Sequence, residues 1–257
     1  NYYMENDTDP FFIALQKEKM QISHTLSNIK HKIGIYSAKG GVGKTTIAVN
    51  LAYALSKKNF KVGILDADID CPNVTFFFGI SDRIAEMPFK PIEKYGVKVL
   101  STAMLVDDAS KPIIWRGPLI AKMINDFLMH SEWGELDYLI IDLPPGTSDA
   151  PLTIMQVLDM DGFVLVTTPQ KIAAVNAQRS GLMAKRLGKA VLGIVENMSN
   201  GNEENSKALA RELGAAFLGS IPYAKEFSEY SDNGKVPALE DQRIFEIFSK
   251  IADALTA

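Results

Sequence analysis

Nine consecutive residues carry the densest chemistry in the chain, Ala38-Lys39-Gly40-Gly41-Val42-Gly43-Lys44-Thr45-Thr46. Glycine has no Cβ, so Gly40, Gly41 and Gly43 let backbone N–H groups converge on phosphate oxygens. Lys44 adds a point charge suited to the outer phosphates of a nucleotide, and the Thr45 hydroxyl is placed to coordinate magnesium. The spacing fits the Walker A pattern, except that Ala38 stands where its first glycine normally stands. Acidic residues alternate in Leu65-Asp66-Ala67-Asp68-Ile69-Asp70, and a further carboxylate, Asp142, closes the apolar run Leu139-Ile140-Ile141. Phosphoryl transfer to water needs one group that orients the water and another that holds magnesium or its water shell. Asp142 can hold the metal through water, and Asp70 reads equally well as a turn residue. After Asp142, Leu143-Pro144-Pro145-Gly146-Thr147-Ser148-Asp149 is a loop whose prolines and glycine give it a fixed shape.

These groups meet only if the chain is wound as alternating strands and helices. Ile33 to Tyr36 and Val62 to Leu65 are short apolar runs that flank a segment, Lys44 to Lys57, whose Ile47, Leu51, Ala54 and Leu55 recur at helical spacing. The phosphate loop then joins a strand to a helix N-terminus, whose positive end favours anions. Asn59 suits a left-handed helix stop. Further buried strands are expected at Val97 to Leu100, Tyr138 to Ile141, Phe163 to Thr167, Val191 to Val195 and Phe217 to Ser220. Helical patterns lie between them: a stripe of Leu119, Met123 and Phe127, then Ile172 to Leu187 and Ser206 to Leu213, which stop at Gly188 and Gly214. The expectation is an α/β domain, a mostly parallel central sheet with helices on both faces, over residues 32–257. Its carboxyl edge is where ligands of such sheets sit. Residues 1–31 are expected to form a helical arm: Asp9 and Pro10 make a helix start, and Phe12, Leu15, Ile22, Leu26 and Ile29 keep a three-four spacing. That helix either grips a partner or packs on its own domain. The last helix, with Ile244, Ile247, Phe248, Ile251 and Leu255, reads as core.

With 257 residues and 47% hydrophobic content, the chain can bury a sizeable core. A formal charge of −4 argues against a nucleic-acid-coating role, and no apolar run reaches the roughly 18 residues that cross a bilayer. No segment resembles a secretion signal, and a cytoplasmic location with no membrane or nucleic-acid partner is expected. One cysteine, Cys71, excludes an internal disulfide framework. His24, His31 and His130 are scattered and make no metal-ligand spacing.

Lys39, two residues before Gly41, makes the loop resemble the deviant Walker A of the MinD/ParA class of P-loop ATPases. The resemblance implies that two subunits face each other with ATP and magnesium between them, and that Lys39 reaches the partner's nucleotide as an arginine finger would. Lys39, Lys44 and Asp68 are then the catalytic residues, because the acidic segment resembles the class's switch I: Asp68 holds the attacking water, with Asp66 in support near the metal. Trp115-Arg116-Gly117-Pro118, Trp133-Gly134-Glu135-Leu136-Asp137-Tyr138, the Asp142 to Thr147 run, Thr168-Pro169-Gln170 and Glu196-Asn197-Met198-Ser199 are similar to the Mrp/ApbC branch. That branch is associated with carrying iron–sulfur clusters to apo-proteins. By the same resemblance Asn197 contacts adenine and Pro222 borders it.

Typical carriers have a Cys-x-x-Cys pair shortly after the Asn-Met-Ser element. This chain has Asn200-Gly201-Asn202-Glu203-Glu204-Asn205 there, so a homodimer offers two thiolates where four are usual. Three functions remain open: an ATPase of iron–sulfur maturation with an unknown apo-protein client, its cluster ligands drawn in part from a partner; a metal-free, nucleotide-switched partner-binding dimer of the MinD/ParA kind; and a small-substrate kinase like dethiobiotin synthetase, for which no sequence feature speaks.

Overall fold

The computed structural model describes residues 10–257, except 85, 106–116, 148–150, 152, 153, 156 and 187. Asp9, Trp115, Arg116, Ser148, Asp149 and Leu187 therefore lie outside the described residues, as do the side chains of Phe12, Leu15, Leu119 and Ile172.

The apolar runs pair into one eight-stranded sheet: β1 (Ile29–Tyr36), β2 (Val62–Asp66), β3 (Ile92–Lys94), β4 (Val97–Ser101), β5 (Leu136–Asp142), β6 (Gly162–Thr167), β7 (Ala190–Ser199) and β8 (Ala216–Pro222). Their spatial order is β3-β4-β2-β5-β1-β6-β7-β8, parallel throughout except for the antiparallel β3–β4 edge. β3 was not foreseen, because three residues of mixed polarity carry no period. The central β1–β5 register, Ile35 against Asp142, and the β2–β5 register, Asp66 against Asp142, bring the strand ends level at the carboxyl edge.

Helices cover both faces, as expected. On one lie α2 (Lys44–Lys57), α3 (Val74–Phe78) and, near the end of the chain, α8 (Pro237–Glu240) and α9 (Gln242–Thr256), over a core that includes Ile47, Leu51, Val97, Val164, Phe248 and Ile251. On the other lie α1 (Pro10–Thr25), α4 (Gly117–Met129), α5 (Lys171–Arg186) and α6 (Glu204–Leu213), over Leu100, Phe127, Trp133, Leu139, Phe163 and Leu213. The remaining helix, α7 (Lys225–Asp232), follows β8 at the carboxyl edge. Gly188, Gly214 and Asn59 all adopt positive φ at helix ends, so the three predicted stops are where the chain turns. Asn50, wholly buried in α2, gives its amide to Thr46 O at 2.7 Å and accepts the Ala238 N–H at 2.7 Å. The phosphate helix is thus tied to α8.

The N-terminal segment requires a correction. β1 begins at Ile29, so the expected boundary at 31/32 falls inside a strand; Lys30, His31 and Lys32 interrupt the apolar pattern but pair with β5 all the same. Of the two readings of α1, packing on its own domain holds for the end of the helix and the turn after it. Ile22 and Leu26 are buried, Thr25 donates to Met129 O at 3.0 Å, and Glu18 accepts from Asn125 at 3.0 Å on α4. Within the described residues, no helix is long and apolar enough to cross a membrane.

Candidate functional site

The phosphate loop leaves β1 at Tyr36 and enters α2 at Lys44, the strand–loop–helix context that the motif requires. Gly41 and Gly43 sit at φ 77° and 82°, a region L-residues avoid. Gly43 is also crowded: a Cβ there would strike the Asn197 side-chain amide. Replacing Gly43 by alanine should therefore strain the loop and displace Asn197 together, weakening nucleotide binding by about tenfold or more. Titration with a fluorescent nucleotide checks this, and wild-type affinity would contradict it.

Lys44 is buried, and its Nζ lies 2.5 Å from Asp142 Oδ1 and 3.9 Å from Asp68 Oδ2. Thr45 Oγ1 donates to Asp142 Oδ2 at 2.6 Å. Asp142, fully buried at the end of β5, thus holds both motif side chains at the phosphate face. Lys39 is exposed, with no acidic partner among the described residues. Two lysines five positions apart in sequence occupy opposite environments, one sequestered and one projecting.

The acidic segment divides its labour. Asp66 is wholly buried and takes three donors: Asp68 N at 3.3 Å, Val74 N at 3.1 Å and Ser101 Oγ at 3.0 Å. Both of its oxygens are engaged inside the protein, which suits a supporting group that shapes the segment between β2 and α3. Burial raises its carboxyl above the usual range, the Asp142 charge adds to that, and the Val74 N–H opposes it. Asp68 is nearly buried, accepts the Cys71 N–H at 3.3 Å and faces Lys44. Burial lifts its carboxyl to about 6 against the opposing pull of Lys44. Asp70 is exposed, in keeping with a turn residue.

A cleft of about 560 Å³ runs along Lys39, Gly40, Gly41, Gly43, Lys44, Thr45, Thr46 and Asp68, with Cys71, Phe76, Pro145 and Asp232 on its walls. A smaller cavity of about 150 Å³ adjoins it through Gly43, Thr46, Ser231 and Asp232, and is lined by Asn197, Met198, Pro222, Tyr223 and Phe227. Polyphosphate at the loop and a flat base in the second cavity fit this pair. Asn197 Nδ2 donates to Val42 O at 2.8 Å, so the loop itself orients the amide. Ala38 is half-buried at the loop's start. Sequence reading missed Ser231 and Asp232: they close both cavities from α7, a helix with no motif and no buried residue.

Two stretches singled out in the sequence, one that carried the family resemblance and one that departs from it, are structural here. Asp137 accepts Lys30 Nζ at 2.7 Å and Lys61 N at 2.8 Å, and Lys61 Nζ reaches Glu135 at 3.0 Å, at the sheet end away from the cleft. Residues 200–205 form a polar turn into α6, in which Gly201 N, Asn202 N and Glu204 N donate to the side chains of Ser199, Asn200 and Asn202. Cys71 is exposed.

A glycine loop between strand and helix, a buried lysine and threonine on one strand-end aspartate, and an adjoining base-sized cavity define a P-loop nucleotide-binding protein of the deviant Walker A class. The sequence profile of the ParA family described as NUBPL iron-transfer P-loop NTPase matches residues 28–256, and the chain belongs to that family. The iron-sulfur cluster carrier protein of Methanocaldococcus jannaschii is 43% identical, over 92% of this chain and 88% of its own. The iron-sulfur cluster transfer protein NUBPL of Dictyostelium discoideum is 37% identical, over 91% and 78%. Among solved structures, the nucleotide-binding protein in complex with ADP from Archaeoglobus fulgidus aligns at TM-score 0.75 with 38% identity, covering 90% of this chain and 96% of that one. The cell division ATPase MinD of Pyrococcus furiosus aligns at 0.68 with 21% identity, over 88% and 98%, a likeness of fold.

Proposed function

We propose that this chain is a magnesium-dependent ATPase that dimerises around nucleotide and serves iron–sulfur cluster transfer to a client apo-protein. The observation that carries the ATPase part is the pairing of a sequestered lysine with a projecting one: Lys44 is held on Asp142, while Lys39 is exposed beside the same cleft. The donor set fits magnesium and ATP. Thr45 and Asp142 would hold the metal, which supplies charge neutralisation at the outer phosphates, with Asp66 behind them as the support of the acidic segment. Loop N–H groups and Lys44 bind the phosphates, Asn197 and Pro222 the base. Lys39 stabilises the transition-state charge on the partner subunit's nucleotide, and Asp68 positions the attacking water.

Asp68 gives the reaction a pH signature. With its carboxyl near 6, acidification through that value protonates the group and should slow turnover. The stability consequence has the opposite sign. A raised carboxyl means the folded state binds more protons than the unfolded one, so this group's contribution is present at low pH and declines from about 4 through about 6. Asp68→Ala should cut phosphate release by about 10²-fold or more and leave an ATP-bound dimer, visible by size exclusion with ATP. Normal hydrolysis by that variant would move the water role elsewhere.

The transfer role is tested by anaerobic reconstitution with iron and sulfide, followed by absorption and iron counting, alone and with a thiol-bearing client present. A cluster formed only with the client supports transfer with partner-supplied ligands. No cluster in either arm favours the second reading, a metal-free nucleotide switch that docks and releases another protein. Cys71, one thiol per subunit, is the observation behind that alternative.

A further inference from the structure

The chemistry of the site lies on two loops that leave different strands: the glycine loop after β1, which carries Lys39, and the loop after β5, whose Pro145 borders the phosphate cleft. The ladder that pairs β1 with β5 ends at Ile35 and Asp142, so the sheet alone does not fix the two loops relative to each other. Two hydrogen bonds beyond the ladder join them, and a third braces the glycine loop itself. The Tyr36 hydroxyl donates to Gly146 O at 2.7 Å, the Gly146 N–H donates to Ser37 O at 2.9 Å, and the Ser37 hydroxyl donates to Lys39 O at 2.8 Å. Tyr36 and Ser37 have no solvent exposure. Gly146 lies at φ 90°, a conformation that presents its carbonyl and N–H to these neighbours at little steric cost.

We propose that Tyr36 and Ser37 are positioning residues that lock the loop after Asp142 to the loop carrying Lys39, so that the groups on the two sides of the outer phosphate move as one unit. The ring of Tyr36 already has its packing role, edge-on to Phe163 with centroids 5.6 Å apart, and a phenylalanine would fill it equally. What the hydroxyl adds is a bond to a loop carbonyl outside any ladder, with the Ser180 side chain beside it. Ser37 links the cross-loop bond to the lysine: its carbonyl accepts from Gly146 across the loops, and its hydroxyl holds Lys39 O within its own loop. Small misplacements of catalytic groups are costly, about 10²-fold for 1 Å, which is the scale at which such a clamp acts. The effect on turnover rests on the ATPase reading above; the mechanical clamp does not.

The test uses Tyr36→Phe and Ser37→Ala in the full chain. Expected is nucleotide affinity within about threefold of wild type with kcat lowered about 10- to 10²-fold, a split that general loss of structure would not give. In a Lys39→Ala background Tyr36→Phe should add little further loss, because both act through one unit. Independently of hydrolysis, with a non-hydrolysable ATP analogue bound, amide exchange should be about tenfold faster at Gly146 and Thr147 in Tyr36→Phe, and at Gly40 and Gly41 in Ser37→Ala, which keeps the carbonyl that Gly146 uses. Wild-type exchange in the two variants overturns the clamp. Faster exchange in a protein that hydrolyses nothing even as wild type upholds the clamp and removes the ATPase reading instead.

Discussion

Lys39→Ala should bind ATP nearly as wild type does and yet lose about 10³-fold or more in turnover, together with ATP-driven dimerisation. The asymmetry follows from where the two loop lysines sit. Lys44 lies within the cleft against Asp142 and Asp68, so in the proposed mechanism its charge serves the subunit's own phosphates. Lys39 has no partner among the described residues, and its backbone carbonyl is held by Ser37, so the main chain is fixed while the ammonium is left free to reach outward. A cation supplied in trans stabilises charge that develops only in the transition state, which is worth 10³ to 10⁵ in rate for arginine fingers. Steady-state phosphate release, paired with light scattering in ATP, measures both effects. Unchanged turnover would remove the trans-lysine reading while leaving the nucleotide cradle intact.

The second large effect is on the fold itself. Asp142→Ala removes the carboxylate that holds Lys44 Nζ at 2.5 Å and Thr45 Oγ1 at 2.6 Å in a fully buried setting. Asp68, at 3.9 Å, is too far to replace it as a hydrogen-bond acceptor. Breaking one side of a buried pair leaves the ammonium with only the longer Asp68 contact, a loss of up to about 3–5 kcal/mol. The variant should therefore melt well below wild type and also fail to hold magnesium. Thermal denaturation checks this against a double variant, Asp142→Ala with Lys44→Met, which should recover part of the loss because it carries no stranded ammonium. Equal melting of the single and double variants would contradict the ion-pair account. Magnesium-dependent nucleotide binding should be absent from both.

Much of this was legible in the chain because its signals are local. The glycine loop, the apolar run into Asp142 and the left-handed stops at Asn59, Gly188 and Gly214 each depend on a few adjacent residues, and they fall between β1 and α2, at the end of β5 and at positive φ. The family resemblance singled out Asn197 as an adenine contact, and the structure adds its bond to Val42 O in the loop. What escaped depends on partners distant in sequence. Ile29 to Lys32 alternate too little to read as a strand, and pair because β5 lies alongside. β3 exists only as the edge partner of β4. Ser231 and Asp232 reach the cleft because of where α7 settles after β8. Asp66 read as a group near the metal, and the donors that occupy it, Ser101 and Val74, come from 35 and 8 positions away.

The bond from Asn50 to Ala238 also has a temporal meaning. The helix that presents Lys44 and Thr45 is covered by α9, with Tyr53 edge-on to Phe245, and its buried amide finds its acceptor role only when residue 238 is in place. During synthesis the phosphate loop emerges some two hundred residues before that partner does. A nascent chain stopped short of Pro237 would hold the whole glycine motif yet leave uncovered the side of its helix that α8 and α9 pack against. A ribosome-bound intermediate should therefore bind ATP weakly until the last helix has docked, which nucleotide titration of a chain truncated before Pro237 checks.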